Sequence, residues 1–85
     1  MYITIVEDEK ILSSKIAKKL IKNWYNTIIY NSYGEFMENK THKSDLYILD
    51  LSLQDWSWFD IIKYLRENGI KSLIIVEVLI KHLHM

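Results

Sequence analysis

Short runs of β-branched and aromatic residues alternate along this chain with stretches in which apolar residues recur every three or four positions. Tyr2 to Val6 is such a run, and it ends abruptly in Glu7, Asp8 and Glu9, which predicts a short buried strand. From Lys10 the period changes. Ile11, Leu12, Ile16, Ala17 and Leu20 fall on one helical stripe, while Lys15, Lys18, Lys19 and Lys22 fall on the other, predicting an amphipathic helix. Asn26 to Tyr30 reads as a second strand. Ser32 to Met37 reads as a short helix with Ser32 as its N-cap and Glu35 as the capping-box partner. After a polar connection, Leu46 to Leu49 is a third strand closed by a carboxylate, Asp50. A loop through Asp55 and Ser57 leads to a second amphipathic helix, with Phe59, Ile61, Ile62 and Leu65 facing inward and Asn68-Gly69 as a left-handed C-cap. Ser72 to Val76 is the fourth strand. Strands this apolar, separated by helices, predict an α/β three-layer sandwich: a parallel sheet with right-handed crossovers, covered on both faces.

At 85 residues the chain is one domain, residues 1–85, whose fold buries about 60–65% of its unfolded surface. Eleven basic residues balance eleven acidic ones, so no net charge draws it to nucleic acid or to an anionic membrane. The absence of cysteine excludes disulfides, thiolate zinc sites and a Cys nucleophile, and fits a cytoplasmic protein. The N-terminus meets acid too soon for a signal peptide or a membrane span. The lysines of the first helix are spaced as a solvated face rather than a phosphate-binding stripe, and His82 with His84 reads as a polar tail. The tyrosines are scattered and read as packing residues with wet hydroxyls.

Two of the strands end in acid, and ligands of parallel α/β sheets bind beyond the carboxyl ends of the strands. If those strands are neighbours, Glu7, Asp8 and Asp50 converge, and their repulsion calls for a proton or a divalent cation. An all-oxygen donor set favours Mg2+.

The stretches Ile3 to Glu9, Asp45 to Leu53 and Phe59 to Arg66 together resemble the receiver domain of two-component response regulators. The resemblance implies a flavodoxin-like fold with strand order 2-1-3-4. It makes Asp50 the acceptor of a phosphoryl group from a sensor histidine kinase, within a signalling module rather than a turnover enzyme. It makes Asp8 and Asp50 ligands of Mg2+, with Glu7 acting through water and the Ser52 backbone carbonyl as a further ligand.

The resemblance stops near Val76. A receiver continues with a hydroxyl residue, a helix, a strand carrying a lysine and a last helix. Here Val78 takes the hydroxyl position with Glu77 beside it, and Lys81 comes too soon, so the sequence reads as a receiver truncated after the fourth strand. The alternative is a degenerate pseudo-receiver, an interaction or dimerisation module that takes no phosphoryl group. Either way the fourth strand is expected to be an apolar edge, and a homo-oligomer joined through residues 72–80 and the Leu79 to Met85 tail is expected. The chain has no proline and two glycines, and its three tryptophans, Trp24, Trp56 and Trp58, fall where turns favour glycine. They read either as a hydrophobic contact patch or as UGA codons that the source organism translates as glycine.

Overall fold

The computed structural model describes residues 1–39 and 43–77. Val78, Lys81, His82, His84 and the tail to Met85 lie outside them. The strands are β1 (Tyr2–Val6), β2 (Asn26–Tyr30), β3 (Leu46–Asp50) and β4 (Leu73–Glu77), and the helices are α1 (Lys10–Lys22), α2 (Tyr33–Glu38) and α3 (Ser57–Glu67). A single 3-10 turn, Gln54–Trp56, leads into α3. The sheet is parallel throughout, in the order β2-β1-β3-β4 expected from the resemblance.

Alternation along the strands sends side chains into two cores. Val6, Tyr47 and Leu49 pack under α2 and α3 against Phe36, Ile61 and Leu65, all of them buried. The rings of Phe36 and Tyr64 meet edge to face, with centroids 6.1 Å apart, and tie α2 to α3. Ile3 and Ile5 pack on the other face, under α1. The contact line of α1 runs through Ser13 and Ala17, small buried residues one turn apart that let the helix approach the sheet closely. Ile11 therefore lies at the margin of the apolar stripe and is exposed, against the expectation that it faces inward. Phe59 is likewise exposed, because Ile61 and Leu65 set the inner line of α3.

Parallel register carries this second core across the sheet in rows. Ile3 pairs with Leu46 and Leu46 with Leu73, while Ile5 pairs with Ile48 and Ile48 with Ile75. The rows continue onto β2 at Thr27 and Ile29, and the first helix lies over their β2 and β1 part. At the β4 end Leu73 is 65% and Ile75 43% exposed, and among the described residues β4 is an outer strand of the sheet.

Local signals act as the sequence suggests, with one shift. Ser32 Oγ accepts the Glu35 N–H at 3.0 Å, but the Glu35 carboxylate reaches back to the N–H of Asn31 (3.3 Å) rather than to Ser32 itself. The hydroxyls of the two buried tyrosines are bonded within the fold: Tyr30 donates to the Asn39 carbonyl (3.0 Å) and Tyr47 accepts the Ser44 N–H (3.0 Å). Trp24 (φ 71°) and Trp56 (φ 60°) are left-handed, as glycine-like turn positions require. Such a backbone costs a residue with a side chain about 1–2 kcal/mol. Trp58 departs from the expectation: it is the second residue of α3, right-handed, half-buried and packed against the core.

Candidate functional site

Strands β1 and β3 are neighbours with Val6 opposite Leu49, so the residues that follow Val6 and Leu49 emerge side by side at one end of the sheet. Glu7, Asp8 and Asp50 meet there, each offering a carboxylate oxygen within 4.8 Å of the others. Glu7 and Asp50 are buried and Asp8 is exposed. Two unit charges 4 Å apart near a protein surface repel by about 4 kcal/mol, and three carboxylates make three such pairs. The group is stabilised by a cation or by protonation, and its donors are oxygens alone.

Glu7 and Asp50 are each held by their own surroundings. The Glu7 N–H continues the β1–β2 ladder to the Tyr30 carbonyl (3.0 Å), and its Oε2 accepts the Glu9 N–H (2.8 Å). The Asn31 side-chain amide donates to the Glu7 carbonyl (2.8 Å) and to Ser13 Oγ (3.1 Å), while Ser13 Oγ donates to the Lys10 carbonyl (3.1 Å). These bonds fasten the end of β2 and the first turn of α1 to the strand end that carries the acids. Neither Asn31 nor Ser13 stood out in the sequence. Their roles depend on β2 lying beside β1, and periodicity carries no trace of that.

Asp50 Oδ1 accepts two hydrogen bonds from Ser52, from its N–H at 2.9 Å and its hydroxyl at 2.7 Å. This local turn holds the Asp50 carboxylate in one orientation. The loop is fixed further by the Leu51 N–H on the Glu77 carbonyl (2.9 Å) and the Leu53 N–H on the Asp50 carbonyl (3.1 Å). A cleft of about 310 Å3, lined by Asp8, Ser32, Tyr33, Leu53, Gln54 and Ser57, opens beside the acids. Ser57 Oγ donates to the Gln54 carbonyl and fixes one wall. All four residues expected at the site, Glu7, Asp8, Asp50 and Ser52, thus lie at this end of the sheet, with Ser52 bonded directly to Asp50.

Solved structures share this architecture. A response regulator receiver domain protein from Bacillus halodurans superimposes with a TM-score of 0.81 over 100% of this chain and 78% of its own, at 21% identity. The chain has the receiver-domain fold. A Francisella response regulator receiver domain superimposes at 0.79 over 98% of this chain and 69% of its own, at 18% identity. The MaeR response regulator, bound to beryllium trifluoride, matches at 0.76 over 99% and 71%, at 21% identity. No family profile and no curated protein matches the sequence. Among the described residues no helix of this receiver fold is long and apolar enough to cross a membrane.

Proposed function

We propose that the chain is the phosphoacceptor module of a two-component relay, taking a phosphoryl group on Asp50 from a sensor histidine kinase in the cytoplasm. The observation that carries this reading is the meeting of Glu7, Asp8 and Asp50 at the strand ends of a receiver fold. In the transfer, a carboxylate oxygen of Asp50 forms a new O–P bond as the P–N bond of the donor phosphohistidine breaks. The leaving nitrogen keeps that electron pair and takes a proton from water. The two Ser52 bonds on Oδ1 keep the carboxylate oriented for attack. The MaeR response regulator, whose fold this chain shares, is bound to beryllium trifluoride, a small anion of about the size of a phosphoryl group.

The donor set suits Mg2+. Three carboxylates offering oxygens within 4.8 Å of one another form an all-oxygen donor group of the kind a hard divalent cation would take. In this reading Asp8 and Asp50 would hold the ion directly, Glu7 would hold it through water, and the Ser52 carbonyl would be a further ligand. Bound there, the ion offsets the negative charge that the carboxylates and an incoming phosphoryl group bring together.

An acyl phosphate with Mg2+ tests the proposal without a kinase. The wild type gains the mass of one acid-labile phosphoryl group and Asp50→Asn gains none. Absence of an adduct on the wild type, or an equal adduct on Asp50→Asn, sinks it. The second reading, a pseudo-receiver that associates with another copy and takes no phosphoryl group, is favoured by the exposed row end at Leu73 and Ile75. An unmodified chain that sediments as a dimer selects it.

A further inference from the structure

Helices α1 and α3 stop in the same way. At the end of α3, Asn68 turns out of the helix at φ −97° and its side-chain amide donates to the Tyr64 carbonyl (2.8 Å). Gly69 is left-handed at φ 73°, and the N–H groups of Gly69 and Ile70 close back on the carbonyls of Arg66 (3.2 Å) and Leu65 (2.9 Å). At the end of α1, Asn23 has φ −99° and its amide donates to the Lys19 carbonyl (2.8 Å). Trp24 is left-handed at φ 71°, and the N–H groups of Trp24 and Tyr25 close back on Ile21 (3.0 Å) and Leu20 (3.1 Å). This is one Schellman motif written twice, with glycine at the left-handed position in one copy and tryptophan in the other.

Nothing in the packing compensates Trp24 for its backbone, because the residue is 93% exposed. Trp56, at φ 60° and ψ 26°, is the last residue of the 3-10 turn and the N-cap of α3, and it is 73% exposed. Among the described residues these two are the only non-glycine positions with positive φ, and both are tryptophan. Residues of this kind are a few per cent of all positions and are mostly Asn, Asp or His. With three tryptophans in 85 residues, drawing two of them at random has a chance of about one in a thousand. Glycine is short as well: the chain has two where average usage gives about six.

We infer that positions 24 and 56 are glycine in the protein its source organism makes, encoded by UGA codons that the organism decodes as glycine. UGA differs from the tryptophan codon UGG in its third base and from the glycine codon GGA in its first, so one gene yields either chain depending on the code that reads it. Glycine at position 56 changes the surface beside the acidic site. The hollow of about 360 Å3 lined by Leu51, Leu53, Trp56 and Trp58 loses one of its two indole walls, so it is not a built pocket for an apolar partner. Trp58, right-handed within α3, gives no backbone signal and stands outside the inference.

Two measurements test this. The native gene is expected to carry UGA at both positions, and the protein isolated from its own cells is expected to be lighter by the tryptophan-to-glycine difference at each. UGG at either position, or tryptophan found there in the native protein, overturns the inference. Independently, in the tryptophan-bearing chain, Trp24→Gly is expected to shift the folding equilibrium toward the folded state about fivefold relative to Trp24→Ala, because only glycine relieves the left-handed backbone. Equal stability of the two variants removes the backbone argument.

Discussion

The two faces of the sheet are finished to different degrees. Beneath α2 and α3, side chains from β1, β3 and the helices close on one another, and Val6, Leu49, Ile61 and Leu65 are all buried. Beneath α1, the rows through Ile3 and Ile5 are covered toward β2 and open at the β4 end, where Leu73 and Ile75 meet solvent. One helix spans about 10 Å and cannot cover four strands spaced about 4.8 Å apart. The finished face stabilises the fold, and the unfinished one is where the described residues offer a surface.

The sharpest test of this contrast is Ile61→Ala, which empties the closed face. It should lose about 2–5 kcal/mol, a large share of a small domain's stability, and urea unfolding reads it directly. Ile11→Ala, on the margin of α1, should change stability by no more than about 0.5 kcal/mol. A comparable loss at both positions would break the comparison. Ala17→Leu probes how closely α1 sits on its face: overpacking there should cost about 1–3 kcal/mol, and a neutral result would mean that this face has room to spare. The double variant Leu73→Thr, Ile75→Thr should leave monomer stability within about 1 kcal/mol while lowering self-association in sedimentation runs. Unchanged association would take the open row ends out of assembly.

The smallest effect is one of pH and belongs to the closed face. Burial, and after it the neighbouring Tyr47 and Glu35, raise the Tyr30 phenol above its ordinary 10.0. A raised folded value means that the neutral phenol, which donates to Asn39, is the form the fold favours. Its contribution is complete below pH 10.0 and fades as pH climbs through the folded value. Tyr30→Phe should flatten that alkaline decline in a pH series of urea midpoints.

The strands were legible to within a residue, because runs such as Leu46 to Leu49 are apolar on both faces and bounded by charge. The acidic trio was legible for a related reason: carboxylates at the ends of two buried strands have nowhere to go but a strand-end site. The phase of the helices was less legible. Ile11 and Phe59 are apolar and in register with their stripes, yet the line of closest approach runs through Ser13 and Ala17 in one helix and Ile61 and Leu65 in the other. A hydrophobicity pattern gives a serine no credit for being small. The Asn31 bonds were illegible because they join β1, β2 and α1, and only the assembled sheet brings the three together.

The strand order also dictates when this fold can close. Of these four strands β1 is made before the others and is an inner one, paired with β2 on one side and with β3 on the other. Its partner across the second edge begins at Leu46, so a chain leaving the ribosome holds Ile3 and Ile5 on a half-built ladder after β2 has arrived. At synthesis rates of about 5–20 residues per second, the stretch from Tyr30 to Leu46 takes roughly one to three seconds. For that interval nascent β1 displays a bare hydrogen-bonding edge, and Glu7 and Asp8 stand at its end without the third acid that completes the site.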